Sequence, residues 1–391
     1  MKLLIKLAFR NFLGAGARAW LNVIVLSFSF VVIIWVHGLM NGWDHQAKKD
    51  MKAWDIGSGQ FWHELYDPYD PFSLNDAHAA IPESFNQEIT KGNMHAVLIQ
   101  TGTIYPEGRM QAVLIKGIDP HQHIVQIPSQ ALDTAISGIP AIIGANMAQT
   151  SHLEVGDKMA LRWRNKHGTF DARELEIVGI FRSNVPSIDF GQIWIPLNQL
   201  QNMTLLTNEA TFFTYNDDFS SSQSLSNWKF MSFESLVADI EQMIQTKSAG
   251  QSIFYIVLLL LAMLAIFDTQ VLSIFRRQKE IGTYVALGYT RNSVVALFTI
   301  EGAVHAIFAA LLALAYGTPI LYYQSKYGMK LPIDSQEFGV AIADVIFPVF
   351  TIGLVLSTII IVLITTSIVS YIPSRKIATM NPTEALRGRI Q

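Results

Sequence analysis

Four stretches of this chain stay apolar for longer than the core helix of a soluble protein needs. Trp20 to Met40 carries no charge, Ser252 to Phe275 only Asp268, Asn292 to Tyr322 only Glu301, and Val345 to Ile372 none. About 20 apolar residues make a helix that crosses the hydrocarbon of a bilayer, where backbone polar groups must be satisfied within the segment. Composition agrees: of 391 residues half are hydrophobic and only 15% are charged, against about a quarter charged in soluble domains. Spans are therefore predicted at residues 20–40, 252–275, 292–322 and 345–372. The first run is too long for the apolar core of a signal peptide and no small-residue cleavage site follows it, so it is expected to remain as an anchor.

Basic residues orient the spans. Residues 1–19, 276–292 and 373–391 together hold 12 of the 28 lysines and arginines but only 2 of the 31 acidic residues. These segments fall on one side by alternation, and their charge predicts the cytoplasm, with both termini inside. Residues 41–251 and the loop 323–344 are then external. Trp20, Trp35, Trp43, Tyr322, Tyr323 and Tyr371 lie near span ends, where amphipathic rings favour the interface.

The net charge of −3 argues against nucleic acid as a partner. With no cysteine, disulfides, thiolate metal sites and thiol nucleophiles are excluded. No G-x-x-x-x-G-K-[ST] loop occurs, so the chain does not cradle ATP in that way. His121 and His123 offer two metal ligands without a third, "DPYDP" lacks calcium-loop spacing, and no Ser/His/Asp elbow motif is present. Neither a metal nor a catalytic centre is expected on this polypeptide.

Residues 1–19 interleave apolar residues with Lys2, Lys6 and Arg10, predicting an amphipathic helix in the inner interface that ends at Gly14 and Gly16. Between the first two spans, roughly 210 residues are enough to bury a core. Hairpins are predicted around Glu107-Gly108 and His167-Gly168. "IPAIIGANMAQTSHLEVGDK" reads as strand, helix and a turn at Gly156-Asp157, giving an α+β domain. "SFESLVADIEQMIQTKSAGQ" reads as a helix running straight into the second span.

The segment "FRRQKEIGTYVALGYTRNSVVALFTIEG" joins the second and third spans. Ile281, Tyr284, Val285 and Gly288 fall at helical spacing. Gly288 suits a helix end, and Thr290 or Asn292 a cap for the next helix. A short amphipathic helix at residues 276–291 follows, able either to dock a partner or to rest on headgroups. Asn381, Pro382 and Glu384 read as cap, first-turn proline and capping-box acid of a tail helix that includes Leu386. Asp268, Glu301 and His305 are polar groups at span depth, with a functional reading and a bracing one both open. Gly302, Ala306 and Ala310 form a small-residue stripe, as Gly38 and Gly42 do, for close packing within a subunit or across a dimer.

"FDTQVLSIFRRQKEIGTYVALGYTRNSVVALFTIEG" and the tail "IPSRKIATMNPTEALRG" resemble ABC-transporter permeases of the type that includes FtsX, the macrolide exporter MacB and the lipoprotein-releasing subunits LolC and LolE. Their shared pattern is a basic "RR-x-EIG-x-x-x-ALG" connector followed by "EG", with a "P-x-R-x-A-x-x-x-P-x-EALR" ending. "IKGIDP", "GANMAQTSHLEVGDKMAL" and "IVGIF…IWIPLNQLQ" resemble the outer domain of the lipoprotein-releasing branch. Asp268 stands where the family usually has Asn, and residues 45–90 match nothing in it. The resemblance implies four spans in the cell inner membrane with a large periplasmic MacB-like domain between the first two, a second permease, identical or homologous, and two copies of a separate ABC ATPase carrying ATP and Mg. Glu280, Ile281, Tyr284, Val285, Leu287 and Gly288 would then couple to the ATPase, and Asn381, Pro382, Glu384 and Leu386 would form a tail contact. The implied cargo is lipoprotein or another membrane amphiphile, passed to a periplasmic carrier. A non-transporting FtsX-like mechanotransmitter of an envelope enzyme and a peptide-sensing signalling permease are the alternatives.

Overall fold

The computed structural model describes residues 2–14, 16–219, 227–330 and 345–379. The chain runs through α1 (Lys2–Gly14), α2 (Ala17–Met51), β1 (Gly59–His63), β2 (Ala79–Ala80), α3 (Glu83–Lys91) and β3 (Met94–Ile104). It continues through β4 (Gln111–Ile118), β5 (Ile139–Gly144), α4 (Ala145–Ser151), β6 (Lys158–Arg164), β7 (Phe170–Phe181), α5 (Pro186–Asp189), β8 (Gln192–Pro196) and α6 (Leu197–Thr204). The rest comprises β9 (Glu209–Ala210), β10 (Phe212–Tyr215), β11 (Trp228–Ser232), α7 (Phe233–Arg276), α8 (Gln278–Ala286), α9 (Arg291–Tyr327) and α10 (Ile352–Ser374). Two units form, one from residues 1–43, 243–329 and 346–391, the other from residues 44–242 and 330–345.

In the first unit, α2, α7, α9 and α10 are each long and apolar enough to cross a membrane. Helix α9 is central. Its Leu297, Val304, Ala306, Ala309 and Ala313 share one cluster with Val23, Leu26 and Phe30 of α2, Met263 and Ile266 of α7, and Val362 of α10. The small residues explain the close approach. A Cβ at Gly302 would overlap Ser370 of α10, and Ala306 and Ala310 are buried in the same cluster. This stripe therefore packs within the subunit. Gly38 and Gly42 make room for Phe350 and the Phe347 carbonyl, and the Val349 amide donates to the Gly38 carbonyl at 2.9 Å.

Helix α1 turns into α2 at Gly16, whose φ of +75° favours glycine. Part of its apolar face is covered by protein: Ala8 and Phe12 are buried, and the Phe12 ring stacks on Phe308 of α9 at 4.6 Å, while Ile5 and Leu13 are exposed. Leu260, Leu261 and Leu264 of α7 and Ile360, Ile361 and Ile364 of α10 are exposed, the arrangement a bilayer stabilises and water does not.

In the second unit, β3 organises a mixed sheet. Strands β3-β4-β8-β5-β7-β6 pair in that order, and β6 returns to β3 through Gly102–Trp163 and Ile104–Leu161, closing a six-stranded barrel. The first half of β3 pairs with β10 instead, which continues through β1 to β11. Leu98, Ile115, Ile143, Leu161, Trp163, Leu175, Ile177 and Ile193 fill the barrel. The turns at Glu107-Gly108 and Gly168 have positive φ, as hairpin geometry requires. Beyond α2 the chain makes a π-helical turn, Lys52–Ile56. Met51, Ile56 and Val237 are buried against Ile142, Phe181 and Trp194, with Trp54, Phe233 and Ile240 packed beside them, so the end of α2 and the start of α7 share one face of the barrel.

Candidate functional site

Helix α7 stops at Arg276 because Arg277 leaves helical geometry, with φ −101° and ψ 21°. Helix α8 follows. Gly288, at φ +92°, reverses the chain, and the Thr290 hydroxyl accepts from the Ser293 amide at 3.3 Å to cap α9. Thr290, not Asn292, is the cap.

The apolar face of α8 points inward. Ile281 is buried with Ile274 of α7, Val294, Val295 and Phe298 of α9, and Ile377 beyond α10; Tyr284, Val285 and Tyr289 pack on the same cluster. Burying one such aliphatic side chain stabilises by about 1.5–3 kcal/mol. Ile281, expected to contact a partner, is buried against its own chain here. What faces outward is Glu280, Thr283, Ala286 and Gly288, with Leu287 73% exposed. The Arg291 guanidinium also donates to the Ala378 carbonyl at 3.0 Å, tying the segment after α10 to the start of α9. Asn381, Pro382, Glu384 and Leu386 lie outside the described residues.

A buried ion pair locks the α7–α8 break. Arg277 Nη1 donates to both carboxylate oxygens of Glu301 at 3.0 and 2.9 Å, and its Nε to Glu280 at 2.7 Å. The guanidinium also lies 4.9 Å from the centre of the Phe298 ring. Asn11 of α1 donates to Glu301 at 3.4 Å. Burial opposes the Arg277 charge, yet the two glutamates hold it above the ordinary arginine value. His305 Nδ1 donates to the Glu301 carbonyl at 3.0 Å, and the imidazole meets the Phe12 ring edge-on. Asp268 is exposed on α7 and makes no bond to this cluster. Glu301 and His305 therefore stand together, and Asp268 stands apart.

Arg277 and Asn11 were not singled out in the sequence. Glu301 lies 24 residues from Arg277 and 290 from Asn11, and local spacing does not register such pairs. The one available signal is a lone acid at span depth, which requires a cationic partner somewhere.

Four membrane-length helices, a large domain of mixed α and β structure inserted between the first two, and a short basic connector define a polytopic membrane protein. Residues 252–382 match the family model for the FtsX-like permease C-terminal domain, so that region of the chain is similar to FtsX-like permeases. The crystal structure of the extracellular domain of the noncanonic ABC-type transporter YknZ from Gram-positive bacteria is similar to part of this chain. The likeness has 13% identity and a TM-score of 0.27, and covers 44% of this chain and 98% of that one. No curated protein matches the chain in sequence.

Proposed function

We propose that this protein is the permease subunit of an ATP-driven complex whose ATPase is a separate chain, and that α8 receives the work of ATP hydrolysis. The observation that carries this reading is the braced connector. A helix of nine residues does not hold its shape alone, but α8 is fixed by the Ile281 cluster on one side and by Arg277–Glu301 on the other. A force applied to the outward side around Leu287 is then passed to α7 and α9 and is not absorbed locally. The segment after α10, tied to Arg291, extends the same braced surface. The basic flanks support a cytoplasmic position for this surface, with residues 44–242 outside.

From α7 and α2 the work reaches the outer domain along the chain. Both helices run without interruption from one unit into the other, and both are anchored there by contacts beyond the span. Lys48 pairs with Glu241 at 3.5 Å, Asn184 donates to Asp50 at 3.1 Å, and Lys52 pairs with Asp217 at 2.9 Å. The cargo we infer is an amphiphile such as a lipoprotein. Leu65, Tyr69 and Phe72 are exposed on one loop, and the Tyr69 hydroxyl donates to Asp239 on α7, so an apolar-tipped loop is bound to the helix that moves.

Replacing Leu287 with glutamate places a charge on the outward face without touching the Ile281 cluster. The expected result is loss of the co-purifying ATPase while the permease still inserts and elutes as before. Unchanged ATPase recovery would contradict the docking role.

A further inference from the structure

The described residues at the α1, α7 and α9 ends surround a cavity of about 390 Å³ lined by Arg10, Arg276, Arg277, Glu280, Glu301, Gln270 and His305, among others. Its charges do not balance. Both glutamates bind Arg277, and among the described residues Arg10 and Arg276 have no ion-pair partner. The cavity wall carries a second unmet need. Gln270 and His305 are 2% and 3% exposed, yet Gln270 Oε1 and His305 Nε2 have no hydrogen-bond partner. Because His305 Nδ1 faces the Glu301 carbonyl, it carries the proton, and Nε2 of the neutral ring is an acceptor. Leaving a buried acceptor unmet costs about 1–3 kcal/mol, and here two belong to residues that line one cavity, whose three arginines outnumber its two glutamates.

We propose that this cavity binds a phosphate ester bearing free hydroxyls, supplied by the glycerol headgroup of an anionic phospholipid in the leaflet that meets α1 and the α7–α8 break. The guanidiniums at Arg10 and Arg276 take the phosphate, since planar donor forks match its oxygens. The headgroup hydroxyls donate to Gln270 Oε1 and His305 Nε2. Basic clefts between membrane helices near a charged leaflet hold such headgroups. A bound lipid here would wedge α1 against the Arg277–Glu301 brace, so the stiffness of the connector would depend on membrane composition. The binding site itself does not require the ATPase reading.

The test is native mass spectrometry of the full chain in neutral detergent, titrated separately with phosphatidylglycerol, phosphatidic acid, phosphatidylcholine and inorganic phosphate. Phosphatidylglycerol is expected to be retained over phosphatidylcholine and phosphatidic acid, with binding about tenfold weaker in the Arg10→Gln/Arg276→Gln double variant. Arg276→Lys, which keeps the charge but loses the planar fork, should bind between the unmodified chain and the double variant. Circular dichroism of both variants should match the unmodified chain, because neither arginine is buried. Equal retention of phosphatidylglycerol and phosphatidic acid overturns the hydroxyl assignment. Saturable inorganic phosphate binding that displaces the lipid supports the anion site and assigns it to soluble phosphate. Undiminished lipid binding in the double variant, in chain of unchanged helicity, overturns the site.

Discussion

Arg277 and Glu301 show how a single residue pair sets the behaviour of a larger segment. Burying either charge alone is costly, and the pair persists because each side chain completes the other's hydrogen bonds. Removing one partner leaves the other charged and uncompensated, at about 3–5 kcal/mol. Glu301→Ala is therefore expected to lower the thermal unfolding midpoint of the purified protein and to speed proteolysis at Arg276–Lys279. A variant with an unchanged midpoint and cleavage rate would show the pair to be incidental. His95 gives the outer domain an acid limit. Burial, partly offset by Asp119, pushes its imidazole down to about 4 from 6.5, and Nδ1 finds no partner. The folded state keeps the ring neutral while the unfolded chain protonates it. Stability is thus complete above pH 6.5 and falls toward pH 4, by roughly 3 kcal/mol in all. His95→Gln should flatten this part of the pH profile of denaturant unfolding followed by tryptophan fluorescence; an identical slope would contradict it. Neither effect was legible beforehand. A lone Glu301 announces that a partner exists but does not name it, and a histidine in "NMHAVLIQ" reads as any strand residue until its neighbours are known.

At the scale of elements, the sequence was most informative where structure is local. Span length, the basic flanks, the Gly288 helix end and the β3–β4 and β6–β7 hairpins all follow from residues close together in the chain, and each hairpin turn sits where its glycine indicated. The barrel was not legible. Its closure depends on β3 pairing with β6 across about 60 residues, and β4 with β8 across nearly 80, and such pairings leave no periodic trace. The connector lies between these cases. Period 3.6 correctly gave α8 an apolar face at Ile281, Tyr284 and Val285, but periodicity does not say what covers that face. The chain's own Ile274, Phe298 and Ile377 cover it, and the side that carries Leu287 stays exposed. On the amphipathic α1, Ala8 and Phe12 meet α9 while Ile5 and Leu13 stay exposed.

For the whole molecule, the proposed role rests on continuity. Helices α2 and α7 each begin or end in the outer domain and cross the membrane unit without a break, and the hydrophobic cluster around Met51, Trp54 and Val237 joins their outer ends to the barrel. Rigid elements with few joints transmit displacement, and the joints here, at Gly16, Arg277 and Gly288, all sit on the side where α8 lies. Because the chain contains no cysteine, a spin-label pair can be placed at will. The decisive measurement is the distance distribution between labels at Val155→Cys in the outer domain and Leu311→Cys in α9, both exposed positions, in the complex with its co-purified ATPase. The proposed coupling predicts a shift on adding ATP and Mg that disappears in the Leu287→Glu background. Distributions that stay the same with and without hydrolysis, or that shift equally in that variant, would contradict it.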